Sequence, residues 1–132
     1  MMYTSCFANV RKMSEEQKAN CVAVCRWLPK SVDMPQYLCV APHPDILSDY
    51  KAGGSEEEYT KKYRKQLARL NPNEIGRLLD GKILLCYEKA EDFCHRHILA
   101  SWLREHGWQC EEMKFHEQEN PPKETLDQIS LF

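Results

Sequence analysis

A short stretch late in the chain concentrates side chains that can carry out chemistry. It offers two thiols, a carboxylate, an imidazole and a guanidinium, on Cys86, Glu88, Cys94, His95 and Arg96. Thiols and imidazoles are nucleophiles and metal ligands, carboxylates move protons, and a guanidinium binds anions. Three interpretations are therefore open: a metal site, a catalytic site, or the ordinary start of a helix.

The spacing of these residues argues against a closed structural zinc site. Such sites use four ligands, commonly in Cys-x2-Cys pairs, and this pair occurs nowhere in the sequence. Cys94 and His95, as neighbours on a helix, would point about 100° apart, so both should not reach one ion. An open metal site remains an alternative, built from Cys86, Glu88 and either Cys94 or His95.

Catalysis has more support from the residue types. We expect Cys94 in the first turn of a helix, where free backbone amides and the helix dipole favour a thiolate. His95 and Arg96 would add cationic character nearby, and Glu88 would be a general acid or base. We therefore predict a catalytic group of Glu88, Cys94, His95 and Arg96. It would suit hydrolysis or lyase chemistry on a phosphorylated or nucleotide-like substrate.

The same residues also fit a purely structural role. Cys86 and Cys94 would pack inward, Glu88 would pair with Arg96, and Asp92 would cap the helix. The sequence has no Cys-x5-Arg loop starting at either cysteine, so a phosphatase mechanism is not indicated.

Alternating strands and helices must position these groups. Strand-like runs are MYTSCF and CVAVCRW, which are typical of central strands, then KILLCYE, a weaker QYLCVAP and a more exposed WQCEEMKF. Capping signals at Ser55 and Asn71 start helices, and the second of these would bury Ile75, Leu78 and Leu79. The alternation predicts an α/β fold in three layers, a mostly parallel sheet with helices on both faces.

Polar residues follow several of the predicted strands. Ser5 and Asn9 come at and after the end of the first, Arg26 closes the second, and Cys86 lies near the end of the fourth. Open parallel sheets bind ligands beyond the carboxyl ends of their strands. We therefore predict that these four residues bind the ligand beside the catalytic group.

Length and composition fit one domain that contains these elements. The 132 residues are 42% hydrophobic and carry a net charge of -2, which gives no overall attraction to nucleic acid. Seven cysteines, an odd count, exclude a complete disulfide framework. No apolar run is long enough to span a bilayer and the start lacks a signal-peptide pattern, so we expect no membrane partner and a cytoplasmic location.

Three segments, YTSCFANVRKM, VAVCRWLP and LLCYEKAEDFCHRHILASWL, carry a family resemblance that runs from about Met1 to Gly107. They resemble the domain of unknown function 488 family of bacteria and viruses. The resemblance implies an α/β three-layer fold and no settled activity. It also implies hallmark positions at Ser5, Cys86, Glu88, Cys94, His95 and Arg96. Many relatives carry a Gly-His-Ser-like turn where this chain has Thr4, Ser5 and Cys6, so Ser5 departs most from the family pattern.

The helix from Ser55 would carry basic side chains outward, at Lys61, Lys62, Arg64, Lys65 and Arg69. Such a face could contact nucleic-acid phosphates. The favoured alternative is a solvated face, because Glu57 and Glu58 lie four residues before Lys61 and Lys62, at the spacing of helical ion pairs.

From His116 onward the sequence is rich in charge and proline, so we predict a single α/β domain over 1–115 and a flexible tail over 116–132. The tail ends in QISLF, which resembles the peptide that binds the bacterial sliding clamp. The resemblance implies contacts from Gln128, Ile129, Leu131 and Phe132. The alternative is that these residues pack on their own domain.

Two classes of function follow from these observations. The first is an enzyme of DNA or nucleotide metabolism or repair, recruited to the sliding clamp and using nucleic acid or a nucleotide as substrate. The second is a non-catalytic module that binds a metal or a small ligand. The sequence does not identify a cofactor for either class.

Overall fold

A four-stranded, all-parallel sheet forms the centre of the domain, and the computed structural model describes residues 1–115. Along the chain the strands are β1 (Met2–Cys6), β2 (Cys21–Ala23), β3 (Ile83–Cys86) and β4 (Cys110–Glu112). Their order in the sheet is β2-β3-β1-β4. Cys6 is opposite Cys86 and Ala23 is opposite Leu85, so the carboxyl ends of three strands meet at one edge.

Among residues 1–115, five α-helices connect and cover the strands. They are α1 (Glu15–Ala19), α2 (Pro44–Lys51), α3 (Glu56–Leu67), α4 (Pro72–Leu79) and α5 (His95–Glu105). The Ser55 hydroxyl accepts a hydrogen bond from the Glu58 amide, and the Asn71 side chain caps α4 in the same way. Both predicted helix starts are confirmed. Within residues 1–115, every helix is too short or too polar to cross a lipid bilayer.

Side chains cover the sheet on both faces. The larger face holds the main core, where α2 to α5 pack on the strands through residues such as Met2, Val22 and Leu84. The opposite face holds a smaller cluster of Met13, Cys21, Ile83 and Leu85, covered by the 3-10 helix Phe7–Lys12 and residues beside it. The predicted α/β class with a parallel sheet is confirmed.

The weaker strand prediction, QYLCVAP, is wrong. Only Gln36 makes a bridge there, opposite Ala23, and Leu38–Val40 is a 3-10 helix. Pro35 and Pro42 flank this segment, and proline has no amide hydrogen for a continued ladder.

The strand β2 is an edge strand of the sheet and not a central one as predicted. Its apolar character is explained by the bridge between Ala23 and Gln36. The chain near Gln36 covers its outer side.

The predicted burial of α4 needs one correction, at Leu78. Its side chain is 45% exposed, whereas Ile75 and Leu79 are buried. These two residues are one helical turn apart and share a face with Gly76. A Cβ atom at Gly76 would overlap the ring of Trp108, so the helix contacts its neighbour closely on that face. Leu78 lies on the other side of the helix.

Candidate functional site

A cavity of about 370 Å³ opens at the carboxyl ends of β2 and β3, beside the start of α5. Its lining includes four of the predicted site residues, Cys86, Glu88, Cys94 and His95. The predicted ligand residue Arg26 lines it as well. The topology therefore brings together residues from β3, from the segment after β2 and from the start of α5. Their roles remain predictions.

The start of α5 differs from the sequence prediction in a way that matters for the site. Cys94 is the N-cap residue, with φ -157° and ψ 145°, so it is extended and not helical, and Asp92 is not the cap. An extended residue directs its side chain differently from a residue in the first turn. The Sγ atom of Cys94 consequently lies 3.9 Å from Nδ1 of His95. The prediction that these two side chains diverge is wrong.

Cys86, Cys94 and His95 form a tight cluster at the floor of the cavity. One sulfur or nitrogen atom from each residue lies within 4.8 Å of the others, and all three residues are buried. The Sγ atoms of Cys86 and Cys94 are in bonding contact, across a Cα–Cα distance of 7.7 Å. Ordinary disulfides have Cα atoms about 4.4 to 6.8 Å apart. The backbone spacing therefore favours the reduced pair, with two thiols that face a common point.

His95 is held in one ring orientation by the backbone of a neighbouring strand segment. Its Nε2 atom lies 2.6 Å from the carbonyl oxygen of Val24. A carbonyl only accepts, so Nε2 carries the hydrogen and Nδ1 has the free lone pair. Burial is the main cause that lowers the pKa of His95 to about 4; the hydrogen bond to Val24 opposes this shift, and the nearby Arg96 charge adds to it. The ring is therefore neutral near pH 7, and its Nδ1 atom faces the sulfur of Cys94 and lies within 4.8 Å of that of Cys86.

Arg96 lies behind the cluster and is fully buried. Its Nη1 atom donates to Sγ of Cys86 at 3.0 Å and to the carbonyl oxygen of Glu88. Its Nη2 and Nε atoms contact the Glu112 carboxylate at 2.8 and 3.2 Å. The structural alternative, an Arg96 pair with the Glu88 carboxylate, is thus replaced by a pair with Glu112.

Glu112 is a site residue that sequence reasoning missed. It is on β4, where it accepts a hydrogen bond from the Thr4 hydroxyl at 2.7 Å and pairs with Arg96. Its half-buried side chain also lies 4.0 Å from Nδ1 of His97. The sequence does place Glu112 at the end of a predicted strand, near the predicted edge. No sequence pattern, however, indicates that Glu112 pairs with Arg96.

The carboxylate of Glu88 is exposed at the mouth of the cavity. Its Oε1 atom lies 4.0 Å from Sγ of Cys86, close enough to exchange a proton with a small molecule bound over the cluster. The position suits the predicted role in acid–base chemistry.

The remaining predicted ligand residues have partners of their own. Arg26 donates from Nε to the carbonyl oxygen of Pro42 and from Nη2 to that of Ala41, which anchors the segment before α2. Asn9 donates to the buried Ser5 hydroxyl at 3.1 Å. Neither Ser5 nor Asn9 is among the described residues that line the cavity.

An aromatic wall is the largest feature that sequence reasoning did not identify. Five rings line the cavity, those of Trp27, Tyr50, Tyr59, Tyr87 and Phe93. Trp27 is 60% exposed and accepts a hydrogen bond from the Tyr87 hydroxyl through its carbonyl oxygen. The five rings come from four segments, with Tyr87 and Phe93 in one loop, so no local motif could have indicated that they all meet.

The basic residues predicted on α3 are not among the described residues that line the cavity. On the basic face of α3, Lys62 pairs with Asp49 at 2.7 Å and Arg64 with Glu105 at 2.8 Å, so the expected Glu58–Lys62 pair is replaced by a contact with α2. The predicted tail and its clamp-binding residues Gln128, Ile129, Leu131 and Phe132 lie outside the described residues.

Comparisons with known proteins agree with the resemblance. The family described as "Active DUF488-N3 subclade" matches residues 6–107, a range that contains every residue of the cavity. No curated protein and no solved structure matches the chain significantly. The match covers well over half of the 132 residues. The chain therefore belongs to the domain of unknown function 488 family.

Proposed function

We propose that this domain is an enzyme that binds a nucleobase-like or nucleotide-like molecule at the carboxyl edge of its sheet and hydrolyses it. The observation that carries the proposal is the cavity, which combines an aromatic wall with a buried sulfur–imidazole cluster and an exposed carboxylate. The description of the matched subclade as active is consistent with an enzyme.

The lining of the cavity supports the class of ligand. Aromatic side chains bind flat rings by stacking, and five of them surround this cavity. Arg26 and Lys51, which also line it, supply positive charge for an anionic group such as a phosphate. A volume of about 370 Å³ falls in the usual range for small-molecule sites, about 300 to 1,000 Å³.

The placement of Glu88 supports the class of reaction. Its carboxylate is at the mouth, 4.0 Å from the sulfur of Cys86, and can take a proton from a water molecule between it and the ligand. In the proposed step the water oxygen bonds to an electrophilic atom of the ligand. The water proton passes to Glu88, which returns it to the departing group as the old bond breaks.

The first test is substitution of the carboxylate by an amide. Calorimetric titration with nucleobases, nucleosides and their monophosphates should find a ligand for the full-length protein, and chromatography should detect its hydrolysis. We expect Glu88→Gln to bind that ligand normally and to lose at least about 100-fold in turnover, the usual contribution of a general base. Glu91→Gln, which changes another exposed glutamate of the same loop, is the matched control. Unchanged turnover in Glu88→Gln, or no binding of any nucleobase compound, would overturn the proposal.

A second candidate is the non-catalytic module. It is favoured by the burial of the Cys86, Cys94 and His95 cluster, which suits tight binding as well as chemistry. The same titration separates the two. A ligand that the wild-type protein binds and releases unchanged, with equal affinity in Glu88→Gln, supports the module.

The sequence of the last residues supports a cellular setting for the enzyme. We propose that Gln128, Ile129, Leu131 and Phe132 bind the bacterial sliding clamp, with two apolar anchors and a polar contact. The substrate would then be a base or nucleotide produced or exposed during DNA replication or repair.

A further inference from the structure

We infer that Cys86, Cys94 and His95 together bind one zinc ion, with the fourth coordination position open to the cavity. The inference deepens the proposed function by naming the cofactor of the same site, and the catalytic use of that ion rests on the proposed function. The binding of the ion itself rests on the geometry of the cluster.

The distances fit three ligands of one ion. Zinc bonds to thiolate sulfur at about 2.3 Å and to imidazole nitrogen at about 2.0 to 2.1 Å, so tetrahedral ligands lie about 3.6 Å apart. The Sγ atom of Cys94 lies 3.9 Å from Nδ1 of His95, and the three ligand atoms lie within 4.8 Å of one another. The Sγ atoms of Cys86 and Cys94, which are in bonding contact here, would move apart to bind the ion, and the 7.7 Å Cα–Cα distance of the two cysteines leaves room for it between them.

His95 is prepared as a ligand by its second hydrogen bond. Metal-binding histidines usually donate their other ring N–H to a carbonyl or carboxylate, which fixes the tautomer and aims the lone pair. Here Nε2 donates to the carbonyl oxygen of Val24 at 2.6 Å, and Nδ1 faces the sulfur atoms. A histidine that merely filled the core would not need its lone pair aimed at two thiols.

The local charges also suit a divalent ion. Two thiolates neutralise the charge of Zn²⁺, so the occupied site adds no net charge to the interior. The neighbouring Arg96 is already balanced by Glu112, at 2.8 Å. Its Nη1 atom donates to the sulfur of Cys86 at 3.0 Å, which is the kind of outer contact that orients a metal ligand.

The ligand types select the ion and the kind of site. Thiolate and imidazole favour zinc over magnesium or calcium, which prefer oxygen. Within residues 1–115, no fourth Cys, His, Asp or Glu joins the cluster. Three protein ligands and an open position are typical of catalytic zinc sites, and two Cys and one His beside a non-ligand glutamate form the set used by zinc-dependent nucleobase deaminases. Glu88 is placed as that glutamate.

The test is elemental analysis of the full-length chain, purified without an affinity tag, without chelator and with a thiol reductant. We expect about one zinc per chain, falling by at least about tenfold in Cys86→Ser and in His95→Asn, since removing one of three ligands greatly weakens a site of this kind. Cys25→Ser is the matched control and should keep its zinc. Cys25 lines the same cavity, but its thiol donates to the carbonyl oxygen of Trp27 at 3.1 Å.

A second measurement does not depend on whether the variants fold. Cobalt added to the zinc-depleted wild-type protein should produce the thiolate charge-transfer and visible bands of tetrahedral Co²⁺. Wild-type protein that contains no stoichiometric zinc and gives no such bands would overturn the inference, as would stoichiometric iron in place of zinc. If the zinc inference fails but a nucleobase compound still binds and is hydrolysed, the proposed function stands without it. If zinc binds but nothing is hydrolysed, the proposed function fails and the metal site stands.

Discussion

Two arginines of this domain make the same ion pair in opposite surroundings. Arg96 and Arg64 each place Nη2 at 2.8 Å from a glutamate oxygen, on Glu112 and Glu105 respectively. Arg96 is 0% exposed, whereas Arg64 is 36% exposed. Water screens the Arg64 pair, and exposed pairs of this kind contribute little to stability. The Arg96 pair is shielded from water, so its loss would leave unpaired polar groups in or near the interior.

The two ion pairs have the same length, so the difference we expect in their contribution to stability comes from burial and not from distance. Arg96 connects α5 to the sulfur of Cys86, to the loop carbonyl of Glu88 and to Glu112 on β4. It is not among the described residues that line the cavity of about 370 Å³, so we interpret it as a positioning residue. We propose that Arg96, which the sequence predicted to be catalytic, instead positions Cys86 and the loop at Glu88.

The largest expected effect comes from replacing Arg96. We expect Arg96→Met to lower the free energy of unfolding by about 3 to 5 kcal/mol, because it removes the charged partner of the Glu112 carboxylate and the donor to the Glu88 carbonyl. Urea denaturation followed by circular dichroism measures the change. The double variant Arg96→Met with Glu112→Gln should regain part of the loss, since the unpaired charge is gone. A loss no larger than that of Arg64→Met would remove the distinction between the two pairs.

The matched exposed variant should have a much smaller effect. Arg64→Met removes a hydrogen bond that lowers the pKa of Glu105. A lowered carboxyl pKa stabilises the fold above the unfolded pKa and loses its effect as pH falls, so any contribution is present at neutral pH. Because both groups are exposed, we expect only a marginal change in the urea midpoint at pH 7. A loss comparable to that of Arg96→Met would contradict this.

The smallest effect on stability should follow from removing the last residues. A chain that ends at Asp127 lacks the five residues proposed to bind the sliding clamp. We expect its urea midpoint to equal that of the full chain, and we expect an immobilised clamp to retain only the full chain. A full-length variant with Leu131→Ala and Phe132→Ala is the control for length. Equal retention of all three proteins by the clamp would end this proposal.

The fold and half of the site were accessible from sequence because their signals are local. Buried strand runs and caps at Ser55 and Asn71 predicted the α/β class, and the spacing of Cys86, Glu88 and Cys94 predicted a shared edge. The convergence of Cys94 with His95 was not accessible. It depends on whether the helix begins at residue 94 or 95, and helix ends are the least certain part of such predictions.

The other half of the site depends on contacts between distant segments. Glu112 reaches Arg96 only because β4 pairs with β1, at the far side of the sheet from β2. The aromatic wall draws on the segment after β2, on α2 and α3, and on the loop before α5. Charge pattern and hydrophobic period do not predict these contacts between distant segments, since each segment by itself has the sequence of ordinary surface or core.

The hydrogen bond between His95 and Val24 spans 71 positions of the chain, and this has a consequence for how the site matures. Contacts between such distant positions form late in folding, because the entropy cost of closing a long loop precedes the stabilisation that the contact provides. The two thiols of the cluster are therefore accessible while the chain folds and sheltered once it has folded. Oxidation of Cys86 and Cys94, both buried in the folded domain, should therefore be faster in chains that are still folding than in the mature molecule.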